Sequence, residues 1–310
     1  MRKDLLGAAL LVGSCTLLVA GTASAANYTL LVHGRNTSGV PTGFSYWADH
    51  TGYNVSACTS YVTDDHGMPQ CNSNPGYATP VAVNYDGSAH ISTTNPGVTA
   101  AMTEYCSGGN SCYILCHSAG CSQVGYTVAN TATPTGGWHI NWVRNAGSAA
   151  GGSELANAGS WLTGYAIDSD LHTSTMRGMY NHDLLGDRTG GNIFTYLGGD
   201  WSSITNMLFT CHSSFFGVCY STAANDSVIA FHSSGHQRSV SGAQSVSCSG
   251  GTGGSCWDYT HIAFEDNGSN GNYGHCLVAG FLGSCQENYK ISANGGIVEK
   301  AAADVRSLAK

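Results

Sequence analysis

The pentapeptide CHSAG at residues 116–120 places a serine where a nucleophile could stand. The apolar run 112–115 before it is typical of a strand, and residues 121–126 after it are typical of the start of a helix. A sharp strand-to-helix turn needs small residues two positions either side of its serine, and it exposes the hydroxyl beside the next backbone N–H. The glycine that ends the pentapeptide fits this G-x-S-x-G pattern, whereas Cys116 replaces the first glycine. The spacing therefore makes Ser118 a candidate nucleophile.

A serine hydroxyl is a weak nucleophile, so it needs N–H donors for an oxyanion, a histidine and an acid. Residues 29–32 form an apolar strand pattern that ends in His33-Gly34. The glycine allows the backbone to turn, so that the N–H of Arg35 points beside the N–H of Ala119. We expect these two groups to form the oxyanion hole. His33 is expected to bond nearby backbone rather than to transfer protons.

The acid should lie on a loop that follows a strand beyond the serine. Asp226 satisfies this after a predicted strand at Met207–Thr210 and a loop with two cysteines, while Asp168 and Asp187 are the competitors. For the base, His261 follows the last predicted strand, and His232, His236 and His275 are the alternatives.

Several of these segments resemble the secreted bacterial lipases and esterases of the α/β-hydrolase family. Their first core strand ends in His-Gly, as at His33. Residues 225–229 (NDSVI) are similar to the family's N-D-G-V-V, with serine in place of glycine, and His261 begins an H-x-x-F similar to its H-x-x-L. Residues 144–156 look like the stretch G-T-P-H-x-G-S-x-x-A without its proline and histidine. The similar segments are short and run in the family's order from Tyr28 to about Phe264.

The resemblance implies a hydrolase of carboxylic esters that works through an acyl-enzyme, with Ser118, Asp226 and His261 in the nucleophile–acid–base order of that fold. Lipids, short acyl esters and polyesters are the implied substrates, since some polyhydroxyalkanoate depolymerases share the histidine before the serine. No cofactor and no metal is expected; a calcium site near Asp226 is conceivable by resemblance, but no ligand cluster demands it. The rival is a disulfide-stapled extracellular binding protein that keeps the scaffold without turnover.

Alternating strand and helix patterns predict an α/β fold with a mostly parallel central sheet, flanking helices, disulfide-rich loops and a cap-like insertion. The insertion is expected at about 158–200, which is rich in aromatic residues and methionine, and a stapled excursion is expected at 52–80. Predicted strands are Tyr28–Val32, Val81–Tyr85, Ser111–Leu115, His139–Val143, Met207–Thr210 and Gln244–Cys248. Predicted helices are Gly43–Thr51, Val98–Cys106, Ala119–Ala129 and Gly296–Leu308.

Residues 1–25 have the form of a signal peptide, with Arg2 and Lys3 before an apolar stretch and Ala23-Ser24-Ala25 as the cleavage signal. Residues 26–310 are then a single catalytic domain, a length that one core can serve. No second apolar run of about 18 residues occurs, so no membrane span is expected in the mature chain. We expect a secreted monomer, extracellular or periplasmic.

Twelve cysteines follow the predicted signal peptide, an even number in a chain bound for an oxidising compartment. Their neighbouring spacing predicts six local disulfides. A disulfide between Cys116 and Cys121 could clamp the turn around Ser118 in place of the usual glycine contact. No C-x-x-C pair occurs, which disfavours zinc. The predicted pairs are Cys58 with Cys71, Cys106 with Cys112, Cys116 with Cys121, Cys211 with Cys219, Cys248 with Cys256, and Cys276 with Cys285.

The charge of the chain disfavours polyanionic partners. The whole chain carries a formal net charge of −8. The predicted mature chain carries −9, because Arg2, Lys3 and Asp4 give the leader a net +1. An acidic protein is repelled by nucleic acids and by anionic membrane surfaces. We therefore expect an ester or polyester as the partner and no nucleic acid.

Overall fold

A computed structural model describes most of the chain between residues 25 and 308. For seven short strand segments, and for residues 299–300, only the backbone is described. The described ranges are 25–36, 46–47, 61–63, 69–71, 78–153, 156–157, 164–182, 184–190, 193–197, 211–215, 218–222, 228–229, 233–234, 262–265, 277–278, 285–286 and 297–308; those described by backbone alone are 61–63, 69–71, 211–215, 218–222, 262–265, 277–278 and 285–286.

An eight-stranded sheet forms the centre of the described chain. Its strands are β1 (Asn27–Val32), β2 (Tyr61–Thr63), β3 (Pro69–Cys71), β4 (Thr79–Ala82), β5 (Ser111–His117), β6 (Ile140–Ala146), β7 (Phe194–Leu197) and β10 (Ile262–Glu265). Their order across the sheet is β10-β7-β6-β5-β1-β4-β3-β2. The six strands from β10 to β4 pair in parallel, and β3 and β2 extend the edge in antiparallel fashion. Two small antiparallel pairs join β8 (Cys211–Phe215) to β9 (Val218–Thr222) and β11 (Leu277–Val278) to β12 (Cys285–Gln286).

Helices cover both faces of the sheet, as a parallel sheet requires. The described helices are α1 (Ile91–Tyr105), α2 (Ala119–Asn130), α3 (Ala166–Asp170), α4 (Thr173–Met179), α5 (Leu184–Thr189) and α6 (Ile297–Leu308). Helices α1 and α2 pack on one face, where Ile114, Val124 and Val143 belong to one buried cluster. Helix α6 packs on the other face, where Leu115 and Val305 belong to a second cluster.

Strand β5 lies in the middle of the sheet because its residues are apolar on both faces. Ile114, Leu115 and Cys116 are fully buried, and β1 and β6 flank the strand. In a parallel sheet with helices on both faces, such a continuous apolar run is the expected sequence of a central strand. The carboxyl end of β5, where Ser118 follows, therefore has a rigid support on both sides.

The predicted α/β class with a mostly parallel sheet and flanking helices is confirmed, and the elements around Ser118 lie close to their predicted bounds. The cap-like insertion is shorter than the predicted 158–200, because β7 within this range is a strand of the central sheet. Its residues Phe194, Tyr196 and Leu197 are buried. Its four residues are too short a run to stand out from the aromatic residues around them. Helices α3, α4 and α5 make up the described part of the insertion that lies outside the sheet.

Other boundaries also differ from the prediction. Strand β4 begins two residues before the predicted start at Val81 and ends at Ala82, and α1 begins seven residues before the predicted start at Val98, with Pro96 inside it. The segment with Cys211 and Cys219 forms the hairpin β8–β9 rather than a loop. The predicted strands at 207–210 and 244–248 lie outside the described residues, as does most of the predicted helix at 43–51, of which residues 46–47 form a turn.

Two of the six predicted disulfides are present in the described residues, Cys106–Cys112 and Cys116–Cys121. The other eight cysteines lie outside the described residues or in strands described by backbone alone, so their pairing stays a prediction. Those eight are Cys58, Cys71, Cys211, Cys219, Cys248, Cys256, Cys276 and Cys285.

Candidate active site

Ser118 stands at the junction of β5 and α2 in a conformation that few serines adopt. Its φ is 55° and its ψ is −129°, and within the described chain it is the one residue other than glycine with positive φ. Such a conformation costs on the order of 1–3 kcal/mol and persists only where the surroundings enforce it. The backbone of Ser118 bonds to the end of β6 and the loop after it: its N–H donates to Ala146 O at 3.0 Å, and its carbonyl accepts from Ala149 N–H at 3.1 Å.

The hydroxyl of Ser118 is not used to cap the helix. A serine that precedes a helix usually accepts a hydrogen bond from one of the first backbone N–H groups, but Ser118 makes no such cap bond. The N–H of Ala119 opens α2, where the unpaired amides and the helix dipole favour negative charge. A hydroxyl on a strained turn beside these donors is the arrangement that nucleophilic attack on a carbonyl needs.

The loop after β1 lies directly against this turn. A Cβ added to Gly34 would stand 2.7 Å from Ser118 Cβ, and a Cβ added to Gly120 would stand 2.2 Å from His33 O. Both positions therefore require glycine, because the loop and the start of α2 approach each other more closely than a side chain allows. This contact brings Gly34 beside Ser118, and Arg35, whose N–H the sequence predicts as an oxyanion donor, follows Gly34 in the chain.

His33 holds that loop through backbone contacts. Its Nδ1 lies 2.7 Å from Gly34 O and its Nε2 lies 3.1 Å from Tyr85 O, and its ring stacks on Tyr85 with centroids 3.9 Å apart. Burial lowers the pKa of His33 to about 4 against the two carbonyl contacts, which raise it, so the ring is neutral at pH 7 and its single N–H donates to one of the two carbonyls. The contacts fit the structural role expected for His33.

A second loop supports the same segment from the side. Asn36 N–H donates to Gly87 O at 3.2 Å, and a Cβ added to Gly87 would stand 2.8 Å from Gly34 O. In this loop the hydroxyl and backbone N–H of Ser88 bond to Asp86 and lower the pKa of its carboxyl. The loop at residues 34–36 is thus packed between the serine turn and residues 85–88.

The side chain of Arg35 points into an ion pair with Asp168 on α3. Arg35 Nε lies 2.5 Å from Asp168 Oδ1, and Arg35 Nη2 lies 3.1 Å from Asp168 Oδ2. Asp168 was a competitor for the catalytic acid, but the guanidinium engages both of its carboxylate oxygens. Asp187, the other competitor, lies in the first turn of α5.

The disulfide Cys116–Cys121 spans the serine turn, joining the end of β5 to the first turn of α2. This is the place where the sequence predicts a clamp in lieu of a glycine contact. The two cysteines have a sequence separation of 5 with Ser118 between them, and both are buried.

Tyr46 is a neighbour of the site that the sequence did not indicate. Its hydroxyl lies 2.5 Å from Nδ1 of His117, and a Cβ added to Gly34 would stand 2.9 Å from that hydroxyl and 2.7 Å from Ser118 Cβ. Tyr46 and His117 are 71 residues apart in sequence. A contact between two such distant segments leaves no local pattern from which it could be read.

Asp226 and His261 lie outside the described residues, as do His232, His236 and His275. Residues close to Asp226 in sequence are described, and one of them bonds to the loop after β6. Val228 O accepts a hydrogen bond from Ser153 Oγ at 2.6 Å, and Ile229 belongs to the core cluster that includes Ala149. Ser153 belongs to the loop that follows β6, and this loop bonds to Ser118 through the N–H of Ala149.

Ser233 also bonds to residues of this loop and to Arg177. Gly151 N–H donates to Ser233 O at 2.7 Å, and Arg177 Nη2 donates to Ser233 Oγ at 3.0 Å. Ser233 and Ser234 are both buried. Residues on both sides of His232 in sequence therefore pack on the loop that adjoins Ser118.

Strand β10 bears on the candidate base, because it begins at Ile262, directly after His261. Through β7 and β6, Ile262 is level with Ile114 on β5, and Glu265 is level with His117. The sequence predicts that His261 comes after the last strand of the sheet. In the described sheet the last strand along the chain is β10, which begins one residue after His261. Ile114 stands four positions before Ser118, a distance of about 13 Å along a strand.

No protein family model matches the chain, and no curated protein matches its sequence. Some solved structures are distantly similar to the chain. A metagenomic carboxyl esterase is 13% identical, with a TM-score of 0.49 over 92% of this chain and 75% of that one. A Bacillus licheniformis lipase in its mature form is 14% identical, with a TM-score of 0.44 over 68% of this chain and 79% of that one. The propeptide form of that lipase is 14% identical, with a TM-score of 0.41 over 67% of this chain. This chain spans 43% of the length of the propeptide form. Similarity at this level assigns no activity to the chain.

In the described part of the chain, no helix is both long and apolar enough to cross a membrane. Among the same residues, no group of three or more histidine, cysteine, aspartate or glutamate side chains converges as a metal site would require.

Proposed function

We propose that the chain is a secreted serine hydrolase that cleaves carboxylic esters through an acyl-enzyme. The observation that carries the proposal is the turn at Ser118, where a serine with positive φ stands between a central strand and a helix, with the Gly34 loop pressed against it. Strained backbone conformations cluster at active sites, and here a hydroxyl that does not cap the helix stands beside the N–H of Ala119 and against the Gly34 loop.

In the proposed reaction, Ser118 Oγ attacks the ester carbonyl carbon while a histidine takes its proton. The N–H groups of Arg35 and Ala119 stabilise the oxyanion of the tetrahedral intermediate. The histidinium then gives its proton to the departing alcohol, which leaves the acyl group on Ser118. A water molecule, deprotonated by the same histidine, hydrolyses this acyl-enzyme and restores the serine.

Asp226 is proposed as the acid that orients the histidine. A described residue just after it in sequence supports this assignment, because Val228 O accepts a hydrogen bond from Ser153 in the loop that bonds to Ser118. Asp168 is the weaker candidate, since Arg35 already occupies its carboxylate.

His261 is proposed as the base, on the resemblance of its H-x-x-F to the family's H-x-x-L. The register of β10 counts against it, because the base must reach Ser118 at the carboxyl edge of the sheet. His232 is the rival, since Ser233 after it bonds to Gly151 in the loop beside Ser118. Single alanine variants separate the two histidines: loss of the base should lower kcat by about 10⁴-fold, whereas loss of the other should leave most activity.

The substrate classes proposed are lipids, short acyl esters and polyesters, and no cofactor is needed for the chemistry. The test is hydrolysis of soluble p-nitrophenyl esters of graded acyl length, of emulsified triacylglycerol and of a polyhydroxyalkanoate film by the purified chain. Ser118→Ala should abolish whichever of these activities the protein has. Full activity in Ser118→Ala would refute the proposal, and a chain that binds these materials without turnover would favour the extracellular binding protein.

Export to an oxidising compartment is part of the proposal, with residues 1–25 as the leader. The disulfides Cys106–Cys112 and Cys116–Cys121 support it, because such bonds persist outside the reducing cytosol. Cleavage after Ala25 would leave Ala26 as the first residue, and Ala26 O already accepts a hydrogen bond from Ser111 N–H at 3.0 Å. The mature chain would then begin directly before the first strand of the sheet, which starts at Asn27. We propose that the exported protein is a monomer.

A further inference from the structure

The guanidinium of Arg35 has a partner that the proposed chemistry does not use. The oxyanion contact needs only the backbone N–H of Arg35, yet its side chain makes two parallel hydrogen bonds to Asp168, at 2.5 and 3.1 Å. The side chain of Asp168 is 8% exposed and that of Arg35 is 25% exposed. A fork of this kind fixes geometry as well as adding energy, because two bonds define the orientation of both planes.

Helix α3 gives Asp168 a firm base. Ile167 N–H donates to Ser88 O at 3.1 Å, and Asp170 Oδ2 accepts from Ile91 N–H at 2.7 Å. The ring of Tyr165, which precedes the helix, has its centroid 5.0 Å from Arg35 Cζ. Asp168 therefore presents its carboxylate from a short helix that is itself bonded to the loop 86–91.

The position of the Arg35 N–H depends on how residues 34–36 are held. Gly34 packs on Ser118, and Asn36 N–H bonds to Gly87 O, so the residues on both sides of Arg35 are fixed by backbone contacts. Arg35 itself is fixed by its side chain. A shift of about 1 Å in a group that positions a substrate can cost on the order of 100-fold in rate.

We propose that Asp168 is a positioning residue for the oxyanion hole, acting through the Arg35 guanidinium to hold the Arg35 N–H beside Ser118. The inference rests on the proposed ester hydrolysis and deepens it. It also connects the insertion to the reaction, because α3 belongs to the part of the insertion that lies outside the sheet.

The test is Asp168→Asn, which keeps the size of the side chain and removes its charge. We expect kcat for a soluble short-chain ester to fall by about 10- to 100-fold while KM changes by less than about threefold, since the oxyanion contact forms in the transition state. The affinity of an alkylboronic acid, whose adduct with Ser118 is tetrahedral, should fall by the same factor. Asp168→Glu, which keeps the carboxylate, should restore part of the loss.

Asp304→Asn is the matched control, because it breaks another Arg–Asp pair away from the serine. Arg144 is fully buried in β6, and its Nη2 lies 2.7 Å from Asp304 Oδ2 on α6. This control should lower the urea midpoint and leave kcat and boronate affinity unchanged. The double variant Arg35→Met/Asp168→Asn should be no slower than the slower of the two single variants, because both remove the same contact.

Three results would overturn the inference: an unchanged kcat in Asp168→Asn, an equal loss of kcat in Asp304→Asn, or losses that multiply in the double variant. A wild-type protein that neither turns over esters nor reacts at Ser118 would refute the proposed function, and the positioning role with it. A wild-type protein that is active while Asp168→Asn is unimpaired would refute the positioning role alone.

Discussion

At the scale of single residues, the site depends on positions that tolerate no side chain. A Cβ on Gly120 would stand 2.2 Å from His33 O and 2.4 Å from Val32 O, and both of these atoms belong to the backbone. Backbone atoms cannot move aside as the end of a flexible side chain can. The first turn of α2 can therefore pack on the end of β1 only because residue 120 has no Cβ.

Gly120→Ala should displace α2 from β1 and impair both folding and catalysis. Overpacking of this kind costs about 1–3 kcal/mol, and we expect kcat to fall at least tenfold because Ala119 N–H moves with the helix. Gly97→Ala in α1 is the matched control. Its Cβ would meet only Asn84 O at 3.5 Å, an ordinary contact, so it should be neutral or stabilise by about 0.4–1 kcal/mol.

Urea unfolding and ester kinetics on both variants check this prediction. A Gly120→Ala protein with wild-type kcat would mean that the turn at Ser118 does not depend on its contact with β1.

At the scale of elements, the junction of β5 and α2 is held by a covalent bond as well as by packing. The two disulfides observed close loops of similar size, with sequence separations of 5 for Cys116–Cys121 and 6 for Cys106–Cys112. Only the first encloses Ser118. Variants of the two disulfides can therefore distinguish a general effect on stability from an effect on the serine turn.

Replacing both cysteines of either bridge with alanine should cost about 2 kcal/mol of unfolding free energy by the chain-entropy estimate. We expect Cys116→Ala/Cys121→Ala to lose kcat in addition, whereas Cys106→Ala/Cys112→Ala should keep it under conditions where both proteins are folded. Urea unfolding gives the stabilities, and saturating ester gives kcat. Equal kcat in the two variants would remove the clamping role assigned to Cys116–Cys121.

Elements with long, uniform patterns could be predicted from the sequence, and short or non-local ones could not. The apolar run of β5 and the small residues of α2 mark the serine junction because each pattern is local. Strand β7 was missed, since four residues such as Phe194–Leu197 look like part of an aromatic insertion until β6 pairs with them. The Arg35–Asp168 pair and the Tyr46–His117 contact join segments 133 and 71 residues apart, and no local pattern records such contacts.

At the scale of the whole molecule, two buried histidines couple stability to pH. Burial lowers the pKa of His33 to about 4 and that of His182 to about 3. In the unfolded chain a histidine titrates near 6.5. Between these values the unfolded state binds more protons than the folded state, so the free energy of unfolding falls as the pH falls.

The histidine contribution to stability should be complete above about pH 6.5 and should decline toward pH 4. Each histidine contributes at most about 1.4 kcal/mol per pH unit within that window. In His182→Phe, which keeps a ring to stack on Tyr180, the fall in unfolding free energy between pH 7.5 and pH 5 should be smaller than in the wild type. Urea unfolding at both pH values measures it, and an equal fall in both proteins would contradict the neutral state of His182.

The central claim is that Ser118 is an activated nucleophile, and its most direct test is labelling of the folded mature protein with a fluorophosphonate. The adduct is located by mass spectrometry, with His261→Ala and His232→Ala as companion variants. We predict one adduct, on Ser118, that is lost in the variant lacking the base. An adduct elsewhere, or none with or without detergent, would contradict the claim and leave the binding protein as the better description.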